Sequence, residues 1–554
     1  MKKNYIIAVI FAVCFSSCND AFLDRSPQDL YDHTFWNNVN DLKTYVNSFY
    51  GALPEGLSSL DDSNSDNQVP NNVSEFIWGH YALPAEGGGW GKDDWKNIRN
   101  VNYFLSRYNQ AKGDEKEINK YVAEAKFFRA FFYIEKLYKF GDIPWVTTDL
   151  TPDSEELYGK KEKRNIVARN IVEDLNFAIE WLPEEAEAGR ISRNAARHLK
   201  ARLCLNEGTY YKYHTELGYG QDVDFFLTEA VKASKNVMDS KLCEIYNTGA
   251  PDKDYYDLFV IEDKTKVKEI ILGVDYEPSI RQHGISRYLA EAENGFSKDF
   301  VDSYLCIDGK PISISDKYEG DGTMKKESAN RDPRFKQNIL TNDFPSFISY
   351  DGVPTYIENE SDFISRYCYT GYKSIKFFIP TAKAFEALGN TYDGIIYRYA
   401  ETLLIYAEAK AELGTITQDD LDNSINLLRR RVGMPDLKCD VGFTDPDWPD
   451  WGYTLSPILQ EIRRERRVEL VGEGLRFDDL RRWKAGHLLN NVMTYVGKKT
   501  DAKHYAVVYP NYTTDDYTYK EGVSRKWNDK LYLYPIPTGE LGRNPNLLPQ
   551  NPGW

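Results

Sequence analysis

Residues 119–146 read NKYVAEAKFFRAFFYIEKLYKFGDIPWV, and this run decides the fold class. Val122, Ala125, Phe128 and Phe132 recur at steps of three and four, the spacing of one helical face. Leu137 extends that face, and Tyr121, Phe127 and Phe131 widen it. Gly141 and Pro144 are the stop signals expected where such a helix ends. Working outward, Ile171, Leu175, Ala178 and Leu182 mark a second helix over 166–182. Ser192 is placed to cap a third, on which Ala195, Leu199, Leu203 and Asn206 form a stripe. Tyr399, Leu403, Tyr406, Ala407 and Lys410 predict a helix near 395–413. Ile425, Leu428 and Val432 predict another, ended by Gly433 and Pro435, and a further helix covers about 457–471. The fold class is therefore mainly α. Helices paired at this length, with Ala at close contacts, are similar to tetratricopeptide units, although no strict 34-residue period aligns.

The middle of the chain, 215–390, reads differently. Short β-type runs such as EIILGVDY (269–276) and IKFFI (375–379) are broken by Gly, Asp and Pro clusters. A helical scaffold with a loop-rich insertion fits, because binding residues sit on loops held by rigid elements. The expected division is one unit over 18–554: helical over 18–214, loop-rich and ligand-binding over 215–390, helical again over 391–554.

Residues 1–17, MKKNYIIAVIFAVCFSS, carry Lys2 and Lys3 ahead of a short apolar run from Ile6 to Phe15. That pattern is expected to be a signal peptide, its apolar run too short to span a bilayer. Cys18 follows directly on two small residues and is the expected lipidation site, so the body is expected to be soluble and tethered to a membrane. The 554-residue chain has 85 acidic and 69 basic residues and a net charge of −16. That balance argues against nucleic acid as a partner, which would need a basic stripe. Five cysteines beyond Cys18 are widely spaced with no C-x-x-C pair, which argues against a zinc ribbon and a dense disulfide scaffold; buried free thiols are expected, with a single bridge left open.

Catalytic and phosphate-binding motifs are absent: there is no G-x-x-x-x-G-K-[ST], H-E-x-x-H or G-x-S-x-G. Asp62, Asn64 and Asp66 imitate the start of an EF-hand, but position six is Asn67 and position twelve Val73. No cofactor is expected; a structural calcium ion is left open, without assigned ligands. Glu465 and Glu469 are expected to pair with Arg463, Arg466 or Arg467 along their own helix, and Asp478 and Asp479 with the neighbouring Arg476, Arg481 and Arg482.

Aromatic content is the informative excess. The chain holds 40 Tyr, 27 Phe and 11 Trp. So many hydroxyl-tipped rings are expected at surfaces that are apolar on one side and wet on the other. FIWGHYALPAEGGGWGKDDW (76–95) has three Trp and no helical stripe, and several Tyr punctuate 276–372. Exposed rings stack on the C–H face of a sugar while Asn, Asp and Arg bind its hydroxyls. Trp78, Tyr81, Trp90 and Tyr288 are the candidate ligand residues; Trp95 is assigned to packing.

With these segments in order, the chain resembles the RagB/SusD family. AEAKFFRAFFYIEKLYKFGDIPWV (123–146), GRISRNAARHLKARLCL (189–205), IRRERRVELVGEGLRFDDLRRW (462–483) and LYLYPIPTGELGRNPNLLPQNPGW (531–554) carry the resemblance. It implies a SusD-like fold with four tetratricopeptide-like helical pairs and a loop-rich region holding the ligand. It implies a non-catalytic surface lipoprotein of the outer membrane. Such a protein captures a glycan and delivers it to a TonB-dependent (SusC-like) barrel. Peptide capture on the same architecture is the second reading, and a glycoside hydrolase the third. Glu124 and Arg129 are expected to stabilise helix packing.

Overall fold

The computed structural model describes residues 35–499 apart from 73 and 152, together with 517 and 525–554. The expected signal peptide (1–17) and the expected lipidation site Cys18 lie outside the described residues. The helices that frame the molecule are α1 (Val39–Asn47), α2 (Lys96–Leu105), α3 (Glu115–Phe140), α4 (Arg164–Trp181), α5 (Arg193–Tyr213) and α6 (Val223–Asp239). After the loop-rich middle, which carries the short α7 (Ile285–Glu291), come α8 (Tyr399–Glu412), α9 (Ile425–Arg431), α10 (Pro457–Glu469) and α11 (Arg476–Arg482).

Asp114 caps α3, its carboxylate accepting from the Lys116 and Glu117 amides. Gly141, at φ +75°, ends the helix in a conformation that disfavours a side chain. The apolar residues of α3 run round more than one face because the helix is central. It packs against α1 and α2 and also against α4. Packing then passes from α4 to α5, from α5 to α6, from α6 to α8 and from α8 to α10. Ser192 caps α5 by accepting from the Ala195 amide, as its position predicts.

Buried ion pairs bind these layers. Arg129 grips Asp174 of α4 through Nε (2.6 Å) and Nη2 (2.7 Å), and Glu124 accepts from Arg190 (2.7 Å) and Tyr50 (2.6 Å). The arginine-rich α10 departs from the expected pattern. Glu465 pairs with Arg334 and Arg429, and Glu469 with Arg334, Arg398 and Arg431. Arg463 reaches Glu412, Arg466 reaches Asp479, and Arg467 reaches Asp66 and Asp299. The reason is burial. Pairing along one helix suits a solvated surface, whereas the charged residues Arg463, Glu465, Arg466, Arg467 and Glu469 of α10 are buried against other elements whose charges need partners. Asp478 and Asp479 do pair locally, with Arg481 and Arg482. Asp62 and Asp66 also serve this framework. Asp62 accepts from Asn67 and the Gly472 amide, and Asp66 receives a two-pronged contact from Arg476.

The short strands are antiparallel pairs, two of which join the loop-rich middle to the flanking parts of the chain while the third is a hairpin within it. They are β1 (Gln68–Pro70) with β3 (Asn294–Phe296), β2 (Ile270–Val274) with β6 (Gly394–Arg398), and the hairpin β4 (Phe347–Ile348) with β5 (Pro354–Thr355). Strand β6 runs directly into α8, so the middle segment is pinned to the helical body at the chain position where the body resumes.

The tyrosines correct one expectation. Tyr133, Tyr255, Tyr304 and Tyr372 are fully buried. Their hydroxyls are satisfied inside: Tyr255 donates to the Glu469 carbonyl (2.7 Å), Tyr372 to Glu327 (2.7 Å), and Tyr304 accepts from Asn338 (3.0 Å). A core threaded by carboxylates and carbonyls uses Tyr where an apolar core would use Phe.

Candidate ligand-binding face and cleft

Three segments of the loop-rich middle meet along one edge. Residues 277–291 begin with a tight turn in which the Glu277 and Arg281 backbones bond each other (2.9 and 3.0 Å). His283 and Asn390 then exchange backbone bonds of 3.0 Å each, and the Asn390 side chain accepts from the Ser286 amide at the start of α7. Within α7, Leu289 turns inward and is buried, while Tyr288 stands 60% exposed. The hairpin β4–β5 leans on the same edge. Phe347 meets Phe385 edge-on at 5.5 Å, and the Ala382 amide bonds the Ile348 carbonyl (2.8 Å). At its tip Tyr350 is 75% exposed, yet its hydroxyl donates to Glu386 (2.8 Å), which fixes the ring without covering it. That bond to Glu386 also raises the Tyr350 phenol above its usual pKa. Ile280, Val353, Tyr356 and Leu388 add exposed apolar surface along these segments. Apolar surface gathered this way, rimmed by polar groups, marks an interaction site.

Beneath α7 a cleft of about 640 Å³ opens between this edge and the helical body, and Tyr288 belongs to its wall. The body contributes Arg202 from α5 and Glu401 from α8, joined by two bonds of 2.7 and 2.5 Å. Burial works against the charge on Glu401, but Arg202 and His198 hold its carboxyl well below the usual range. Arg398 and Glu473 form a second bonded pair in the wall, at 2.7 Å. Both carboxylates are therefore fixed in ion pairs and ionised. The Tyr397 hydroxyl, also in the wall, is buried and finds no partner among the described residues. A cleft of this size, with paired charges in its wall and an aromatic lip, fits a small or chain-like ligand.

The four sequence candidates separate. Tyr288 lies on the face and in the cleft. Trp78 is half-buried, its ring edge-on to His80 at 5.0 Å. Tyr81 packs on Phe76, Tyr534 and Trp554 in a separate apolar cluster. Trp90 is 6% exposed, wedged against Phe140 (4.8 Å) and Trp95 (5.3 Å) in the main core. It also contributes to the wall of another cavity of about 440 Å³, beside the exposed Tyr158. The polar residues Glu55 and Asp61 of the cleft escape sequence reading, since no motif marks them. The hairpin carrying Tyr350 had a legible sign in Asp351-Gly352, a common turn pair.

A stack of helix pairs carrying a loop-borne aromatic face defines a helical-repeat binding protein. Comparison with known proteins supports that class and narrows it. Residues 272–554 match the SusD family, and residues 21–205 match a family described as "starch-binding associating with outer membrane". The chain belongs to the SusD family. It is 24% identical to SusD-like protein P2 of Formosa agariphila, an alignment covering 100% of both chains. Its fold matches a SusD-like protein of Bacteroides fragilis at 25% identity with a TM-score of 0.72, covering 96% of this chain and 100% of that one. It also matches a SusD-like carbohydrate-binding protein of the same species, at 23% identity with a TM-score of 0.71, over 93% of this chain and 100% of that one. The second family's description points to the outer membrane. No helix among the described residues is long and apolar enough to cross a membrane.

Proposed function

We propose that this protein captures an oligo- or polysaccharide at the cell surface and passes it to a TonB-dependent transporter in the outer membrane. Capture is binding without chemistry. One observation carries the reading. Tyr288 and Tyr350 stand exposed on segments fixed by backbone and side-chain bonds, so their faces are available to a sugar before it arrives. Preorganised rings bind at low entropic cost. Trp78 and Tyr81, both half-buried, are secondary candidates for contact with a longer chain. Lipidation at Cys18 would tether the protein beside its transporter.

The test is a glycan array probed with the intact chain, followed by titration of the strongest ligand. Purification of the lipidated protein from outer membranes should bring a TonB-dependent barrel with it. A chain that binds no glycan but holds extended peptides would establish the peptide-capture reading instead, and the appearance of new reducing ends during incubation would establish a hydrolase.

A further inference from the structure

The charges around the cleft can be accounted for one by one. Arg202 is neutralised by Glu401, and Arg398 by Glu473 with further contacts to Glu269 and Glu469. His283 also lines the cleft, and both its ring nitrogens are engaged. Nε2 donates to the Tyr392 carbonyl (3.0 Å) while Nδ1 accepts from the Ile285 amide (3.4 Å), an arrangement that requires the neutral imidazole. Two charged groups of the wall remain, both carboxylates: Glu55 and Asp61. Both are exposed, and neither has a cationic partner among the described residues. Asp61 accepts only from the Ser58 hydroxyl, at 2.7 Å through Oδ1. On the nearby rim, Arg287 is occupied by Glu291 (3.1 Å), and Arg281 lies over the Tyr276 ring at 4.7 Å, outside the cleft wall.

We infer that the cleft selects uncharged glycans and rejects uronate- or sulfate-bearing ones, with Glu55 and Asp61 as the selecting residues. The inference rests on the glycan reading above. An uncharged sugar offers hydroxyl hydrogens, and a free carboxylate is acceptor-only, so Glu55 and Asp61 gain charge-assisted bonds from it. An anionic sugar would bring like charge to two carboxylates with every lining guanidinium already committed. Recruiting Arg202 or Arg398 would strip a buried Glu of its partner, which is costly. The net charge of −16 adds repulsion of the same sign during approach.

The test titrates the intact chain with two probe sets. The uncharged set is cello-, laminari-, xylo- and manno-oligosaccharides; the anionic set is oligogalacturonate, alginate oligomers and sulfated galactans. Each set is measured at about 20 and about 300 mM NaCl, between which the Debye length falls from about 20 to about 6 Å. The tightest ligand should be uncharged and indifferent to salt. Any anionic probe should bind about ten-fold more weakly or worse and should tighten as salt rises. Glu55→Gln with Asp61→Asn should improve anionic binding several-fold at low salt and weaken the uncharged ligand. An anionic probe that binds tightest, weakens with salt and is lost in Tyr288→Ala would overturn the inference while upholding the site. Failure of every probe, or binding untouched by Tyr288→Ala, would instead remove the site reading and the inference with it.

Discussion

Tyr288→Ala is the sharpest test of the face, because the expected loss can be worked from exposure. A Tyr side chain presents roughly 200 Å², and 60% of Tyr288 is exposed. About 120 Å² is therefore available, and a stacked sugar covers one ring face, about 60 Å² of it. At about 25 cal/mol per Å², that contact contributes about 1.5 kcal/mol, or about a ten-fold change in Kd. Isothermal titration with the strongest array ligand measures it directly. The Tyr288 hydroxyl bonds no described residue, so Tyr288→Phe should keep affinity within about two-fold and assign the loss to the ring. Little stability should be lost, since the ring packs on little. An affinity change below about two-fold in the Ala variant, with its melting curve unchanged, would refute stacking at this position.

Trp90→Ala should behave in the opposite way. Its ring fills space between Phe140 and Trp95, so truncation should cost about 3–5 kcal/mol of stability in urea titration while leaving glycan affinity unchanged. Glu469→Gln should cost about 3–5 kcal/mol at neutral pH, because Arg334, Arg398 and Arg431 lose a common buried partner. Burial opposes the charge on Glu469, but Arg431, Arg398 and Arg334 together hold its carboxyl far below the ordinary 4.5. A depressed native pKa means stability present above pH 4.5 and lost as pH falls further. The gap between wild type and Glu469→Gln in thermal melts should therefore close below that pH. Gly56→Ala should destabilise and distort the cleft mouth. Gly56 sits at φ +68°, and a Cβ there would lie 2.6 Å from the Ile395 nitrogen. Melting shifts of several degrees and weakened binding are the expected readouts.

The helices were legible because their signals are local. The α3 stripe and its Gly141 stop, or the Ser192 cap of α5, lie within a few residues of the structure they specify. The partners of α10 were not legible. Glu469 meets Arg334, 135 positions earlier in the chain, and nothing in the IRRERRVE spacing distinguishes that contact from pairing along the helix. The same limit governs the rings. Tyr288, Tyr369 and Tyr372 sit in similar loop-rich sequence, yet the last two are buried. Tyr369 donates to the Pro70 carbonyl and Tyr372 to Glu327, partners supplied from elsewhere in the chain. Tyr288 is exposed because the bonds between 283–286 and 390 rotate α7 so that Leu289 takes the inward position. Whether a loop tyrosine becomes core or platform thus depends on what distant segments pack over its ring, since Tyr350 has a hydroxyl acceptor in Glu386 and still stands exposed. Local pattern narrows a ligand face to a region, and long-range pairing selects the residues within it. Trp90 illustrates the cost of reading only the first. Its glycine-flanked segment has the composition of a binding loop, but Phe140, 50 residues on, converts it into a wedge of the core.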